Sequence, residues 1–213
     1  MTRPLLLVHG WGFDAAIWDA IAALLPDRLI LRAEAGYLGA EPSWPAVPPG
    51  TIAVGHSAGV LALLDRWPPG CAGLISIAGF SRFAAAADWP GVPDRVLARM
   101  ARDLDAAPER ALSAFRQRCG ADSDPGDRLA PDRLAAGLEA LRFQDARAVA
   151  MRMFADGAIP LLALAAEDDP IVTASHTSAC FPPDRVRWTE TGGHLLPATR
   201  PDWCAALIGR FTC

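Results

Sequence analysis

The chain has 213 residues, of which 52% are hydrophobic and 21% charged, a composition typical of one globular domain with a sizeable core. Its net charge of −4 argues against a protein that binds nucleic acid through overall positive charge. No uninterrupted apolar stretch approaches the roughly 18 residues of a membrane span, and the apolar run near the start does not resemble a signal peptide. The five cysteines are odd in number and lack C-x-x-C spacing, so we expect reduced thiols, no metal site and a cytoplasmic enzyme.

Short apolar or β-branched runs, each closed by turn residues, predict about six strands. They cover residues 5–8, 28–32, 51–54, 73–78, 159–165 and 185–190. Helical patterns separate them, such as those at 18–25 and 59–66. Near-continuous apolar strands that alternate with helices are typical of buried parallel sheets. We therefore predict an α/β fold, with a mostly parallel sheet of about six strands and helices on both faces.

Residues 81–157 interrupt this alternation. Apolar residues recur there at helical spacing, and no strand candidate appears. A polar loop with glycine and proline, at 122–131, divides the segment. We predict that the segment is a helical lid inserted into a core formed by residues 1–80 and 158–213.

A Gly-x-Ser-x-Gly motif follows the third predicted strand, at Gly55-His56-Ser57-Ala58-Gly59. The flanking glycines allow a tight strand-to-helix turn that exposes the serine hydroxyl at the edge of the sheet. The alternative interpretation is a turn serine that only caps a helix. The position between a strand and a helix favours Ser57 as a nucleophile.

A serine hydroxyl attacks poorly until a base accepts its proton, and the chain has four histidines. We expect His9 to be packed and hydrogen-bonded, His56 to point away from the site, and His176 to lie on the surface. His194 follows the last predicted strand in a loop with two glycines. This position makes His194 the candidate base.

The base needs a carboxylate that fixes its tautomer and stabilises the imidazolium. Glu167, Asp168 and Asp169 all follow the fifth predicted strand. Asp169 is favoured over Asp168, because residues 169–172, Asp-Pro-Ile-Val, resemble the D-x-x-V turn that carries the acid in many enzymes with a serine nucleophile. The resulting order of serine, acid and histidine along the chain is the order expected for this kind of site.

Stabilisation of an oxyanion requires two N–H groups aimed at the developing charge. One is expected from Ala58, the residue after the candidate nucleophile. The other is expected from the loop after the first strand, most simply from Trp11 in the sequence His-Gly-Trp-Gly. The alternative for Trp11 is a plain core aromatic residue, and the two roles are compatible.

Taken together, these motifs resemble the α/β-hydrolase superfamily over nearly the whole chain. Three segments are similar to the pimeloyl-ACP methyl ester esterases of biotin synthesis. They are His-Gly-Trp-Gly at 9–12 with the following Ile-Trp at 17–18, Ala-Asp-Trp-Pro-Gly at 87–91, and Gly-Leu-Glu-Ala-Leu at 137–141. The second and third look like the start and the exit of that family's lid. The loop at 34–39 lacks the usual P-G-x-G-x-S, which leaves the exact substrate open.

The resemblance implies a serine carboxylesterase that hydrolyses the methyl ester of pimeloyl-ACP and releases methanol, with no metal or organic cofactor. It also implies a lid that recognises the acyl carrier protein through arginines. Arg110 best matches a family position that contacts carrier and acyl chain, although a solvated helix face would look the same. Phe115 is a candidate for the acyl pocket or for plain lid core. Residues 82–152 hold 12 of the 20 arginines against 11 acidic residues, which favours an acidic partner on the lid.

Two other functions remain open at this point. A general short-chain carboxylesterase or thioesterase without a carrier partner would use the same catalytic residues. A non-catalytic ligand-binding relative is disfavoured by the complete triad of Ser57, Asp169 and His194. In each case we expect a monomer that binds neither nucleic acid nor membrane.

Overall fold

A computed structural model of the chain describes residues 2–121, 128–154, 157 and 159–212. Among these residues, six strands form one sheet. The strands are β1 (Leu5–Val8), β2 (Ile30–Ala33), β3 (Thr51–His56), β4 (Cys71–Ile77), β5 (Leu161–Ala166) and β6 (Val186–Thr189). Their order is β2-β1-β3-β4-β5-β6, and all neighbours are parallel. The predicted fold class is confirmed, and each predicted strand overlaps an observed one.

Side chains alternate between the two faces of the sheet, as the pleat of a strand requires. In β1, Leu6 and Val8 belong to one hydrophobic core, whereas Leu5 and Leu7 belong to the other. All four are buried, so the strand is apolar at every position. This two-sided burial is why the strands could be recognised as short continuous apolar runs.

Nine helices surround the sheet in the described part of the chain. They are α1 (Asp19–Ala23), α2 (Ala58–Asp65), α3 (Asp94–Ala106), α4 (Pro108–Arg118), α5 (Pro131–Phe143), α6 (Arg147–Phe154), α7 (Ala174–Cys180), α8 (Leu196–Thr199) and α9 (Pro201–Phe211). Short 3₁₀ turns lie at Ala15–Trp18 and Pro183–Arg185. Residues of α1, α8 and α9 form one core with the sheet, and residues of α2 to α6 belong to the other. None of the described helices is both long and apolar enough to span a bilayer.

The segment 81–157, here named the helical insertion, contributes α3, α4, α5 and α6 between β4 and β5. Its start lies against the segment between α5 and α6. Arg82 forms an ion pair with Asp145, and the Ala146 N–H donates to the Ser81 carbonyl at 2.9 Å. Helices α3 to α5 therefore lie between two segments that are in contact, and α6 follows before β5. Residues 122–127 of the predicted polar loop, residues 155–156 and 158, and Cys213 lie outside the described part of the chain.

The carboxyl ends of β1 and β3 are packed too closely for side chains. A Cβ atom added at Gly59 would lie 2.2 Å from the Val8 carbonyl oxygen, and one added at Gly55 would lie 2.7 Å from the Val60 nitrogen. Neither glycine has a positive φ, so the requirement is for space and not for backbone conformation. This close approach brings the loop after β1 against the turn after β3.

Gly59→Ala is expected to lower the free energy of unfolding by roughly 2–3 kcal/mol, because the new methyl group collides with the backbone of β1. The matched control is Gly209→Ala in α9, where an added Cβ meets nothing within 4 Å. That control should be neutral or stabilised by up to about 1 kcal/mol, the helix-propensity difference. Urea unfolding of the three proteins measures this, and equal stability of Gly59→Ala and wild type would contradict the steric argument.

Candidate active site

Ser57 occupies the sharp turn between β3 and α2. Its backbone has φ 52° and ψ −123°, a positive-φ conformation that is rare for a residue with a side chain. The Ser57 N–H donates to the Ile77 carbonyl at 3.0 Å, and the Ser57 carbonyl accepts from the Val60 N–H at 3.0 Å. The strained turn is thus fixed by hydrogen bonds on both sides of the serine.

The structure brings the three predicted triad residues together in one hydrogen-bonded row. His194 Nε2 lies 2.9 Å from Ser57 Oγ, and His194 Nδ1 lies 2.9 Å from Asp169 Oδ2. All three side chains are buried. They come from the carboxyl ends of β3, β5 and β6, which meet at one edge because the strands are parallel. In this geometry Nδ1–H donates to the carboxylate, which leaves Nε2 to accept the serine proton.

Asp169 is held as a carboxylate by its surroundings. Its Oδ1 accepts from the N–H groups of Ile171 and Val172 at 2.7 and 2.9 Å. Burial on its own raises the pKa of this carboxyl, but the charge and hydrogen bond of His194 and the two N–H groups outweigh it, so the pKa lies below its usual value. An ionised Asp169 can stabilise an imidazolium at His194.

Asp168, the rejected alternative, has a different position. Its carboxylate is exposed and accepts from the N–H groups of Gly192 and Gly193, at 3.3 and 2.8 Å. These glycines precede His194 and have φ values of 139° and 61°. Asp168 therefore anchors the loop that presents the histidine, a contact that no local pattern in the sequence indicated.

His56 was predicted to point away from the site, and this expectation is wrong. The fully buried His56 ring lies 5.1 Å from the His194 ring, centroid to centroid, and its Nε2–H donates to the His194 carbonyl at 3.0 Å. Burial, followed by the neighbouring His194, lowers the pKa of His56 to about 3, so the ring is neutral. His56 thus supports the backbone of His194 from behind. The two residues are 138 positions apart, which explains why the sequence concealed the contact.

The loop after β1 begins at His9, which is buried and hydrogen-bonded as predicted. His9 Nδ1–H donates to the Gly10 carbonyl at 2.9 Å, and Nε2 lies 3.1 Å from Glu34 Oε1. Glu34 also accepts from the N–H groups of Gly36 and Ala15, at 2.7 and 3.0 Å. Burial raises the pKa of Glu34, but the hydrogen bond and charge of His9 and the two N–H groups bring it down from 4.5 to about 2. One carboxylate thereby ties the start of this loop to the loop after β2.

The two predicted oxyanion donors belong to backbone segments that touch. A Cβ atom added at Gly10 would lie 2.9 Å from Ser57 Cβ, so the residue before Trp11 rests against the serine. Ala58 follows Ser57 at the first position of α2, where its N–H has no partner within the helix. In the described part of the chain, neither the Trp11 N–H nor the Ala58 N–H donates a hydrogen bond. Both amides are therefore available to an acceptor beside Ser57.

A cavity of about 490 Å³ lies between the helical insertion and the loop after β5. Its mainly apolar wall includes Trp11, Phe115 and Ile171. Ser57 is not part of this wall, but Trp11 belongs to the loop after β1, and the Ile171 N–H donates to the Asp169 carboxylate. Phe115 lines the cavity, whereas Arg110 lies outside it on the exposed surface of α4. Of the two insertion residues singled out by the resemblance, Phe115 therefore faces the cavity and Arg110 faces solvent.

His176 was predicted to lie on the surface, and this expectation is also wrong. It is 1% exposed, is stacked on Phe80, and lies within ring-contact distance of Phe83 and Trp89. Its Nε2–H donates to the Arg82 carbonyl at 2.7 Å, and burial lowers the pKa of the ring. Phe83 and Trp89 come from the start of the helical insertion, and Phe80 immediately precedes it. The hydrophobic pattern of a helix alone does not show which distant residues bury one of its side chains.

Among the described residues, no cluster of three metal-ligating side chains occurs.

Several proteins named pimeloyl-[acyl-carrier protein] methyl ester esterase are similar to this chain in sequence. The one from Serratia marcescens is 30% identical over an alignment of 244 positions, which covers 98% of this chain and 93% of the Serratia protein. The chain belongs to this family. The Legionella pneumophila (strain Corby) member is 30% identical over 80% of the chain and 77% of its own length. The Sodalis glossinidius member is 34% identical over 131 positions, about half of each protein.

Solved structures agree with the family on the fold. An esterase from Exiguobacterium antarcticum superimposes with a TM-score of 0.80 at 13% identity, over 99% of this chain and 92% of that protein. A hydrolase from Oleispira antarctica gives a TM-score of 0.74 at 14% identity, over 100% and 91%. No protein-family model matches the chain. Sequence family and α/β-hydrolase fold together identify a carboxylesterase.

Glu34→Gln tests how strongly the loop after β1 is anchored. Because the pKa of Glu34 is lower in the folded chain than its usual 4.5, its contribution to stability is complete above about pH 4.5 and is lost as the pH falls toward about 2. We therefore expect the variant to be less stable than wild type at pH 7 and the difference to shrink across this window. The control is Glu139→Gln on the exposed face of α5. A difference in unfolding free energy between Glu34→Gln and wild type that does not change with pH would contradict a lowered pKa of Glu34.

Proposed function

We propose that the chain hydrolyses the methyl ester of pimeloyl-ACP to pimeloyl-ACP and methanol, in biotin synthesis. The observation that carries the proposal is the hydrogen-bonded row of Ser57, His194 and Asp169 in a chain that belongs to the family of that name. The proposal includes a monomer in the cytoplasm, as expected from the sequence.

The reaction proceeds in two similar halves. His194 Nε2 accepts the proton of Ser57 Oγ while the oxygen attacks the ester carbonyl carbon. The N–H groups of Trp11 and Ala58 donate to the oxyanion. The bond to the methoxy oxygen then breaks, and methanol leaves with the proton from His194. Water, activated by the same histidine, attacks the acyl-enzyme, releases the carboxylate and restores Ser57.

The cavity beside the triad fits an acyl chain. Its wall is mostly apolar, and its volume of about 490 Å³ is within the range of small-molecule sites. In the proposal, the helical insertion acts as a lid over this cavity and Phe115 contacts the chain. The Phe115 ring also packs edge-on against Trp11, with 4.8 Å between the ring centroids. The residue that touches the substrate thus also touches the oxyanion loop.

An acidic carrier protein would meet the outer face of the helical insertion. Several of the arginines there already pair within the insertion, including Arg82 and Arg147 with Asp145 and Arg142 with Asp94. Arg110 is exposed on α4 and forms no ion pair with any described residue, which is also true of Arg95 and Arg102 on α3. Its charge is available to a partner, which supports the proposed role in carrier binding.

The first test is turnover of pimeloyl-ACP methyl ester by the purified protein. We expect methanol release with kcat/KM about tenfold or more above that of free dimethyl pimelate, because the carrier adds contacts worth at least about 1.4 kcal/mol. Ser57→Ala should lower kcat by roughly 10⁴-fold or more on both substrates. Good activity on simple esters with none on the carrier substrate would retain the triad and reject the biotin-pathway assignment. Full activity of Ser57→Ala would reject the triad itself.

Arg110→Glu tests the carrier interaction on its own. Reversing this charge should raise KM for the carrier-bound ester by about tenfold, through loss of attraction and added repulsion, and leave the free ester unaffected. The control is Arg210→Glu, an identical charge change on the exposed side of α9, which packs on the opposite face of the sheet. If both variants act on the carrier substrate like wild type, Arg110 is a solvated residue and not a contact.

A further inference from the structure

Arg116 of α4 reaches from the helical insertion into the loop after β1. The residue is only 8% exposed, and its Nη1–H donates to the Gly12 carbonyl at 2.9 Å. Its guanidinium carbon lies 4.7 Å from the centre of the Phe13 ring. Burying a guanidinium costs free energy unless it is hydrogen-bonded, so a buried arginine holds its acceptor firmly. The acceptor here is the residue next to the proposed oxyanion donor Trp11.

Two more contacts join the insertion to the same loop. The Trp11 Nε1–H donates to the Leu134 carbonyl of α5 at 2.8 Å. Gly12 has a φ of 74°, and a Cβ atom added there would lie 2.7 Å from Cδ1 of Leu112 and 3.5 Å from Phe115. Helix α4 therefore packs directly on the backbone of the loop, while α5 holds the indole.

The sheet side of the molecule holds this loop at its beginning. His9 is fixed by Glu34, and Gly10 rests on Ser57. Beyond that point, the loop's own backbone bond, from the Phe13 N–H to the Gly10 carbonyl, is long at 3.4 Å. From Trp11 to Phe13 the loop contacts α4 and α5 through the Gly12 carbonyl and the Trp11 indole. The Phe13 ring also packs edge-on against His56 of β3, with 6.0 Å between the ring centroids. The backbone that follows the Trp11 N–H is therefore in contact with both helices.

We propose that Arg116 is a positioning residue for the oxyanion hole. Through this residue, the position of α4 and α5 determines whether the Trp11 N–H is placed for catalysis, and so affects kcat. The insertion then does more than cover the acyl cavity, because the oxyanion site is assembled only while the two helices rest on the loop. This inference rests on the proposed ester hydrolysis but not on the carrier substrate. A partner or acyl chain that shifts the helices will change kcat as well as binding.

The test uses Arg116→Met, which keeps much of the buried volume and removes the donors, with p-nitrophenyl acetate as a substrate too small to need the carrier or a long acyl chain. Complete loss of an oxyanion donor lowers kcat by roughly 10²–10³-fold. A donor that is displaced but still present should lower kcat by less. We expect kcat to fall about ten- to hundredfold with KM within about twofold of wild type. Arg116→Lys, which keeps one donor near Gly12, should recover part of the loss. Arg102→Met, the same change at an exposed position of α3, is the control and should match wild type.

A second readout separates positioning from general damage to the fold. Phenylboronic acid forms a tetrahedral adduct with an active serine, so its affinity should fall by about the factor by which kcat/KM falls. A KM effect without a kcat effect would mean that Arg116 only shapes the cavity, and unchanged kinetics would also overturn the proposal.

If Arg116→Met does not fold, a second variant tests the same coupling. Trp11→Phe removes the hydrogen bond to the Leu134 carbonyl but keeps the backbone N–H, and it should show the same fall in kcat. Unaltered kcat in that variant would count against the coupling. The pimeloyl-ACP assignment is tested separately, because its failure would show as a wild-type protein that hydrolyses simple esters but not the carrier-bound ester.

Discussion

The site depends on one steric constraint, the close approach of the carboxyl ends of β1 and β3. Because these strands are parallel neighbours, the loop after β1 and the turn at Ser57 lie against each other without intervening side chains. Gly59 is in contact with the backbone of Val8, and Gly10 with Ser57. The unusual backbone of Ser57 is tolerated because hydrogen bonds from β4 and α2 hold the turn on both sides. Gly10, the residue before Trp11, rests against Ser57 as a result.

Much of this was predictable from the sequence, because the informative residues follow strand ends. Strands buried on both faces are recognisable as apolar runs, and the residues just after them must share one edge of a parallel sheet. Ser57 and Asp169 each follow such a run. His194 follows the half-exposed edge strand β6, whose end lies at the same edge, so the proximity of the three could be expected. The choice of Asp169 over Asp168 needed the turn pattern as well. In the structure the two carboxylates face opposite sides of the His194 loop, one toward the ring and one toward the preceding glycines.

The contacts that the sequence did not reveal share a physical cause. His176 and Arg116 are in helical segments whose pattern shows which face is apolar but not which element covers it. His176 is buried by aromatic residues about 90 positions earlier, and Arg116 binds a carbonyl 104 positions away. His56 is adjacent to the nucleophile, yet its partner is the carbonyl of His194. Each contact forms only when the helical insertion or the last loop packs on the rest of the chain. A short stretch of sequence holds no information about such long-range packing.

The contact between Arg82 and Asp145, which lie before α3 and after α5, has a consequence for how the insertion can vary. Because the chain comes back to Arg82 before α6, the three helices between them are equivalent to a short connection. Such a segment can be lengthened, shortened or exchanged between relatives without re-registering any strand. The loop after β1 restricts this freedom, because a replacement must also supply a donor for the Gly12 carbonyl and an acceptor for the Trp11 indole. A change along the cavity wall thus alters only the shape of the cavity, whereas a change where α4 and α5 touch this loop also removes one of its supports.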